Sequence, residues 1–278
     1  MFKVFKFVFL TLLIAGCAPE KPTIWTAPPM DKVDCGEYAN VITELGVLNN
    51  NVWNKGAATD NRWVQCLVTK NENSQTVYGW YWDWPRGRKV IYAYPQIKRG
   101  ASPWAPEPKF DDRFPLKIDT LETLNIQHHL ETQTNGEHNT ATSLWIVDEP
   151  YDESQPNPSI ISTEIMIWTF ATEGHFPPAG TKSDEISLNG IVWEVWNKKR
   201  WTDQSGVNDN TWGIVTFKSK TNILVADIDA LQMLKYAIAQ RLLSENLYIA
   251  DIELGNEIMG DAGVSWVRQF NLQVEQKL

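Results

Sequence analysis

The run Ser162-Thr163-Glu164-Ile165-Met166-Ile167-Trp168 sets a carboxylate, a thioether and an indole at alternate positions. In an extended strand that spacing turns Glu164, Met166 and Trp168 to one face and Ile165 and Ile167 to the other. The isoleucines suit a core. The mixed face suits the floor of a wet cleft, with an ionisable group at one end and a flat apolar surface beside it. Such a floor fits a sugar: an acid for the bond between rings, and an aromatic platform for the ring itself.

Breaking a glycosidic bond ordinarily takes two carboxyl groups facing it, one as acid and one as nucleophile or base. The second candidate is Glu257, in Gly255-Asn256-Glu257-Ile258-Met259-Gly260, where the flanking glycines allow the backbone to pass close to a ligand. Asp251 and Glu253 share its parity, so alternation leaves three carboxylates open at this end. Any of these acids could instead be a solvated group on a strand edge. The segment Asn49-Asn50-Asn51-Val52-Trp53-Asn54 makes a poor core strand. It makes a good cleft wall, with amides for hydroxyl groups and an indole for stacking. His128, His129 and His138 offer a weaker reading as a metal protein, because adjacent histidines on a strand point to opposite faces. No metal or cofactor is expected.

The elements that must position these groups read as all-β. Period-two alternation marks strands near 63–69, 76–84, 90–95, 116–126, 140–147, 163–169, 191–197, 211–219 and 265–274, with turn residues between them. One segment from Asp229 to about Glu245 departs from this, with Leu231, Leu234, Ile238 and Leu242 at helical spacing and Asp229 as its N-cap. A lone amphipathic helix should cover a sheet face. In Tyr78-Gly79-Trp80-Tyr81-Trp82-Asp83-Trp84 the tryptophans share one parity, and at least half of these rings are expected in the core. With 14 tryptophans in the chain, a share is left over to line a surface.

Lys3, Lys6, a short apolar stretch from Phe7 to Ala15 and then Gly16-Cys17 read as a signal segment, too short to span a bilayer. Ile14-Ala15-Gly16-Cys17 resembles a bacterial lipobox, which would make Cys17 the lipidated first residue of the mature chain. Residues 1–16 are then a lipoprotein signal peptide, 17–34 a Pro-rich tether and 35–278 the folded domain. Export implies an oxidising compartment, so Cys35 and Cys66 are expected to bond to each other. The net charge of −9 becomes more negative once Lys3 and Lys6 are removed, which argues against nucleic acid and suits a neutral polymer.

Glu-Ile-Met-Ile-Trp at Glu164–Trp168, followed about ninety residues later by Gly-x-Glu-x-x-Gly at Gly255–Gly260, resembles glycoside hydrolase family 12. The order Cys35, Asn50-Asn51-Val52-Trp53, Cys66 is similar as well, as is the loop with Gly174, Pro178 and Gly180. The resemblance implies a jelly-roll β-sandwich of two packed antiparallel sheets with one helix on the outer face. It implies Glu164 as nucleophile and Glu257 as acid/base of a retaining endo-β-1,4-glucanase. Asn51, Trp53, Met166 and Trp168 match substrate-binding positions. One position departs: Ser143 stands where the family often has an aspartate near the nucleophile, and Asp83 or Asp148 could compensate. The expected protein is a monomer acting on cellulose, mixed-linkage glucan or xyloglucan. It would be held by lipid at the outer membrane or surface of a bacterial cell envelope, or secreted. Its rivals are a xyloglucan-specific enzyme and a non-catalytic glucan-binding lipoprotein.

Overall fold

The computed structural model describes residues 25–58, 62–205 and 209–277. Its first strands are β1 (Asp31–Asp34), β2 (Asn40–Ile42), β3 (Val47–Asn49), β4 (Val64–Glu72) and β5 (Gln75–Trp84). Then come β6 (Gln96–Gly100), β7 (Leu116–Lys117), β8 (Leu121–Thr134), β9 (Asn139–Val147) and β10 (Ile161–Ala171). The last are β11 (Thr181–Leu188), β12 (Ile191–Thr202), β13 (Thr211–Ser219), β14 (Val225–Asp229), helix α1 (Ala230–Ala239), β15 (Tyr248–Gly255) and β16 (Asp261–Gln276).

These strands build two sheets. The smaller runs β1-β4-β5-β16-β8-β14 and the larger β11-β12-β13-β10-β9-β15-β6-β3-β2, with β7 also on β15. Neighbours are antiparallel except β10 and β13, which run parallel. Leu67, Trp80, Trp82, Trp84 and Phe270 of the smaller sheet meet Leu144, Ile165, Ile167, Val215, Phe217 and Ile252 of the larger in one core. Burying so many large side chains between two faces is the main source of stability. Tyr81 and Asp83, on the other parity of β5, turn away from it. Gly79 is required there, because a Cβ would meet the Ser265 carbonyl of β16 at 1.9 Å.

Asp229 caps α1 by accepting from the Gln232 N–H at 3.0 Å. Ala230, Leu231, Met233, Leu234 and Ala237 bury its apolar side in the same core. The helix ends well short of Glu245. Arg241 takes φ of 58°, its N–H bonds the Ile238 carbonyl, and the Leu242 N–H reaches back to Ala237. That is a Schellman closure with arginine where glycine is usual, so the sequence carries no stop signal. Residues 90–95 are not a strand either. Only Ala93 makes a bridge, to Ile258, while the Tyr92 and Tyr94 N–H groups bond the carbonyls of Ile258 and Asn51. Pro95 has no N–H to continue a ladder.

Cys35 and Cys66 form a disulfide that joins the chain ahead of β2 to β4. The described end of the Pro-rich stretch lies on the outer face of the smaller sheet. There Trp25 and Met30 pack with Val68 and Trp266, and β1 pairs with β4. Cys17 lies outside the described residues.

Candidate active site

β10 runs between β9 and β13 in the middle of the larger sheet, and its non-core face carries Glu164, Met166 and Trp168 as alternation requires. Glu164 is cross-strand from Trp145 on β9 and from Ile214 on β13. Glu164 is 8 % exposed, and its carboxyl is held at both oxygens. Ser143 donates to Oε1 at 2.8 Å, and the Trp212 indole donates to Oε2 at 3.2 Å. Burial pushes its pKa up to about 7, against the pull of these two donors. The charge of Glu253 adds to the rise.

Glu257 lies just past the end of β15, half-buried. Asn139, the first residue of β9, brackets it. Its amide nitrogen donates to Glu257 Oε2, its Oδ1 accepts from the Glu257 N–H at 2.8 Å, and its own N–H bonds the Glu257 carbonyl at 3.3 Å. The preceding residue is pinned from below. Asn256 accepts from Trp80 and Ser265 and donates to the Asn139 carbonyl. Burial raises the Glu257 pKa to about 8, with the Glu164 charge as second cause and the Asn139 donor opposing. The two carboxyls therefore sense each other, and the one with the weaker donor set holds its proton to higher pH.

Trp53 rests on a patch of Tyr94, Ala141, Met166 and Trp168, so the expected wall and floor meet. Asn51 accepts from the Trp53 N–H at 3.0 Å and donates to Gln96 at 3.4 Å. The other asparagines serve the chain rather than a cleft wall. Asn50 is buried and donates to the carbonyls of Gly36 and Gln65, and Asn49 donates to Asn40 and Glu107. Met166 and Trp168 are more covered than an open floor would be, at 8 % and 3 % exposed. His175, in the loop carrying Gly174, Pro178 and Gly180, stands edge-on to Trp168, 5.1 Å between ring centres.

The glycines flanking Glu257 answer to the chain itself. A Cβ on Gly255 would meet the Pro95 carbonyl at 2.5 Å, and one on Gly260 the Pro85 carbonyl at 2.7 Å. Nor do Asp83 or Asp148 make good the serine at 143. Both are exposed, Asp83 on the smaller sheet and Asp148 beyond the end of β9. Trp212 and Ser143 supply neutral donors instead, and Glu253 is a carboxylate near enough to act on Glu164. His128 and His129 lie on β8, outside this site, and among the described residues no three His, Cys, Asp or Glu side chains gather to hold a metal ion.

Sequence reasoning missed Asn139, Trp212, Gln96 and Tyr94. Trp212 could have been found by carrying alternation along β13, since it shares the parity of Ile214, the cross-strand partner of Glu164. Tyr94 donates its hydroxyl to the Ala141 carbonyl, and burial raises its pKa well above the usual value, with the charges of Glu253, Glu257, Glu164 and Asp251 adding to the rise. No local pattern announces it, because it sits in irregular backbone.

A model of glycosyl hydrolase family 12 matches residues 45–275. Endoglucanase S of Pectobacterium parmentieri is 24% identical over 231 residues, 82% of this chain and 81% of that protein. A probable xyloglucan-specific endo-β-1,4-glucanase A of Aspergillus clavatus is 21% identical over 246 residues, 86% and 90% of the two chains. Among solved structures, a native family 12 xyloglucanase from Bacillus licheniformis superposes with a TM-score of 0.73 at 23% identity. That match covers 89% of this chain and 100% of the other. Two sheets packed as a jelly roll, a central strand bearing Glu-Ile-Met-Ile-Trp and a family match along most of the sequence agree: the chain belongs to glycosyl hydrolase family 12 and is a glycoside hydrolase of the cellulase type.

Proposed function

We propose that the protein cleaves internal β-1,4-glucosidic bonds with retention of configuration, using Glu164 as nucleophile and Glu257 as acid/base. The observation that carries this reading is the unequal treatment of two neighbouring carboxyls. Glu164, with a donor on each oxygen, ionises near pH 7, while Glu257 keeps its proton to about 8. In the first step Glu257 gives its proton to the departing glycosidic oxygen as the bond to the anomeric carbon breaks and Glu164 bonds to that carbon. In the second, water gives a proton to Glu257 and attacks the same carbon, releasing Glu164. The two carboxyls and a water suffice. Trp53, the partly exposed ring of the patch over Tyr94, Met166 and Trp168, offers aromatic surface for a sugar ring.

Reducing-end release from carboxymethylcellulose, mixed-linkage glucan and xyloglucan tests the substrate. Rapid loss of viscosity with few new ends is the expected endo pattern. Cleavage confined to xyloglucan would move the assignment to a branched-chain enzyme.

The pH dependence follows with a definite sign. Glu164 must be ionised, so kcat/KM falls as pH drops through about 7. Glu257 must be protonated, so kcat/KM falls again as pH rises through about 8. A bell centred between those values is expected. Full activity at pH 4 would contradict the buried nucleophile.

We further infer that the enzyme is a monomer exported and held at the cell envelope through lipid on Cys17. The disulfide supports export, since such bonds persist in oxidising compartments. Cys17→Ser is expected to leave the protein unprocessed or free of membranes. A wild-type protein that is fully soluble, with its N-terminus elsewhere, would overturn the anchor.

A further inference from the structure

β15 turns two more carboxylates to the face that holds Glu164. Asp251 is cross-strand from Trp145 on β9, and Glu253 is cross-strand from Ser143 on β9 and from Lys98 on β6. All are buried: Asp251 is 0 % exposed, Glu253 4 % and Lys98 1 %. Lys98 pairs with Glu107, which also accepts from Asn49. Three carboxyls thus surround one ammonium in a region closed to water. They cannot all be ionised there without a large desolvation cost.

Hydrogen bonds show where the charge rests. Glu253 accepts from Gln96 at 2.7 Å on one oxygen and from the Trp145 indole at 3.1 Å on the other. Donors on both oxygens favour the ionised form. Asp251 receives no side-chain donor at either oxygen, and its carboxyl lies beside that of Glu253. Two carboxyls in that relation need a proton between them, and the one without side-chain donors keeps it. With Glu107 engaging Lys98, Glu253 is the anionic member.

This anion is connected to the nucleophile along two short routes. Trp145 donates to Glu253, packs edge-on against Trp212 with 5.5 Å between ring centres, and Trp212 donates to Glu164. Ser143 stands between, cross-strand from Glu253 and donating to the other oxygen of Glu164. We propose that Glu253 is a positioning residue for Glu164: a buried anion that fixes Trp145 and, through it, the donors and the electrostatic surroundings of the nucleophile. The proposal rests on Glu164 being that nucleophile.

The groups facing Glu253 bound the sign of its effect. They are Lys98 from β6, Glu107 from the following loop, Asp251 from β15 itself, Glu164 from β10, and Tyr94 and Tyr151 from the adjoining loops. Lys98 is the cation of the set, and Glu107 already pairs with it. The remaining charge on Glu253 opposes ionisation of Glu164, in agreement with its place among the causes that raise that group.

The test is the pH profile of kcat/KM on an activated aryl cellobioside. Glu253→Gln keeps size and an oxygen that can still accept from Trp145, so the charge alone is removed and the acid limb should move to lower pH. Glu253→Asp keeps the charge but draws it back from Trp145, so its limb should fall by less. A purely structural role would lower kcat or stability and leave the limb in place. An acid limb that is unmoved, or moved upward, overturns the proposal. Should Glu253→Gln fail to fold, Glu253→Asp decides by the same criterion. Glu164→Gln, measured alongside, separates the two levels. If it stays active, the nucleophile reading fails; if it is inactive and the Glu253 variants keep the wild-type limb, only the positioning role fails.

Discussion

Glu164→Gln should lose activity by at least about three orders of magnitude on every substrate, because it removes the group that forms the covalent intermediate. The substitution is isosteric, and Ser143 and Trp212 can still pack against the amide, so the fold and glucan binding should persist. Glu257→Gln should behave differently. On polysaccharide, where the departing oxygen must be protonated, the expected loss is about 10²–10⁴-fold. On an aryl cellobioside with a good leaving group the first step no longer needs the acid, and a burst of phenol should precede slow release of the sugar. Stopped-flow absorbance reads this directly. Equal losses for both variants on both substrates would contradict the division of roles.

Removing the disulfide should be the largest single loss of stability outside the core. The bond closes a loop across a sequence separation of 31, and in the chain-entropy account such a closure contributes about 3–4 kcal/mol. The Cys35→Ser, Cys66→Ser double variant should show that loss in a urea transition, and a change below about 1 kcal/mol would count against it. The effect should also reach the cleft. Asn50 donates to the carbonyls of Gly36 and Gln65, each next to a bonded cysteine, and Asn51 and Trp53 follow directly. Loosening that clamp should raise KM more than it lowers kcat.

The strand of Glu164 was legible because its two faces have different chemistry. Ile165 and Ile167 go to the core, and Glu164, Met166 and Trp168 go to the site. At least half of the rings on β5 were expected in the core, and Trp80, Trp82 and Trp84 are there. Alternation failed where both faces are buried or the strand is short. On β15, Ile252 and Leu254 alternate with the ionisable Asp251 and Glu253, yet every residue after Tyr248 is buried, so parity could not choose among the carboxylates at this end. β2, β3 and β6 are three to five residues long and were not anticipated. Tyr94 and Gln96 lie in or beside such segments, and long-range pairing, not local pattern, puts them in the site. The helix start was readable from Asp229, while its end depended on an arginine taking the conformation usual for glycine.

Retention through Glu164 requires a covalent bond from its carboxylate to the anomeric carbon. Mixing the enzyme with an activated aryl 2-fluoro-cellobioside, quenching, digesting and weighing the peptides tests it most directly. The expected result is one glycosyl adduct, on the peptide carrying Glu164, together with product that keeps the β configuration when ordinary substrate is used. An adduct on Glu257, or no adduct with product of inverted configuration, would contradict the account.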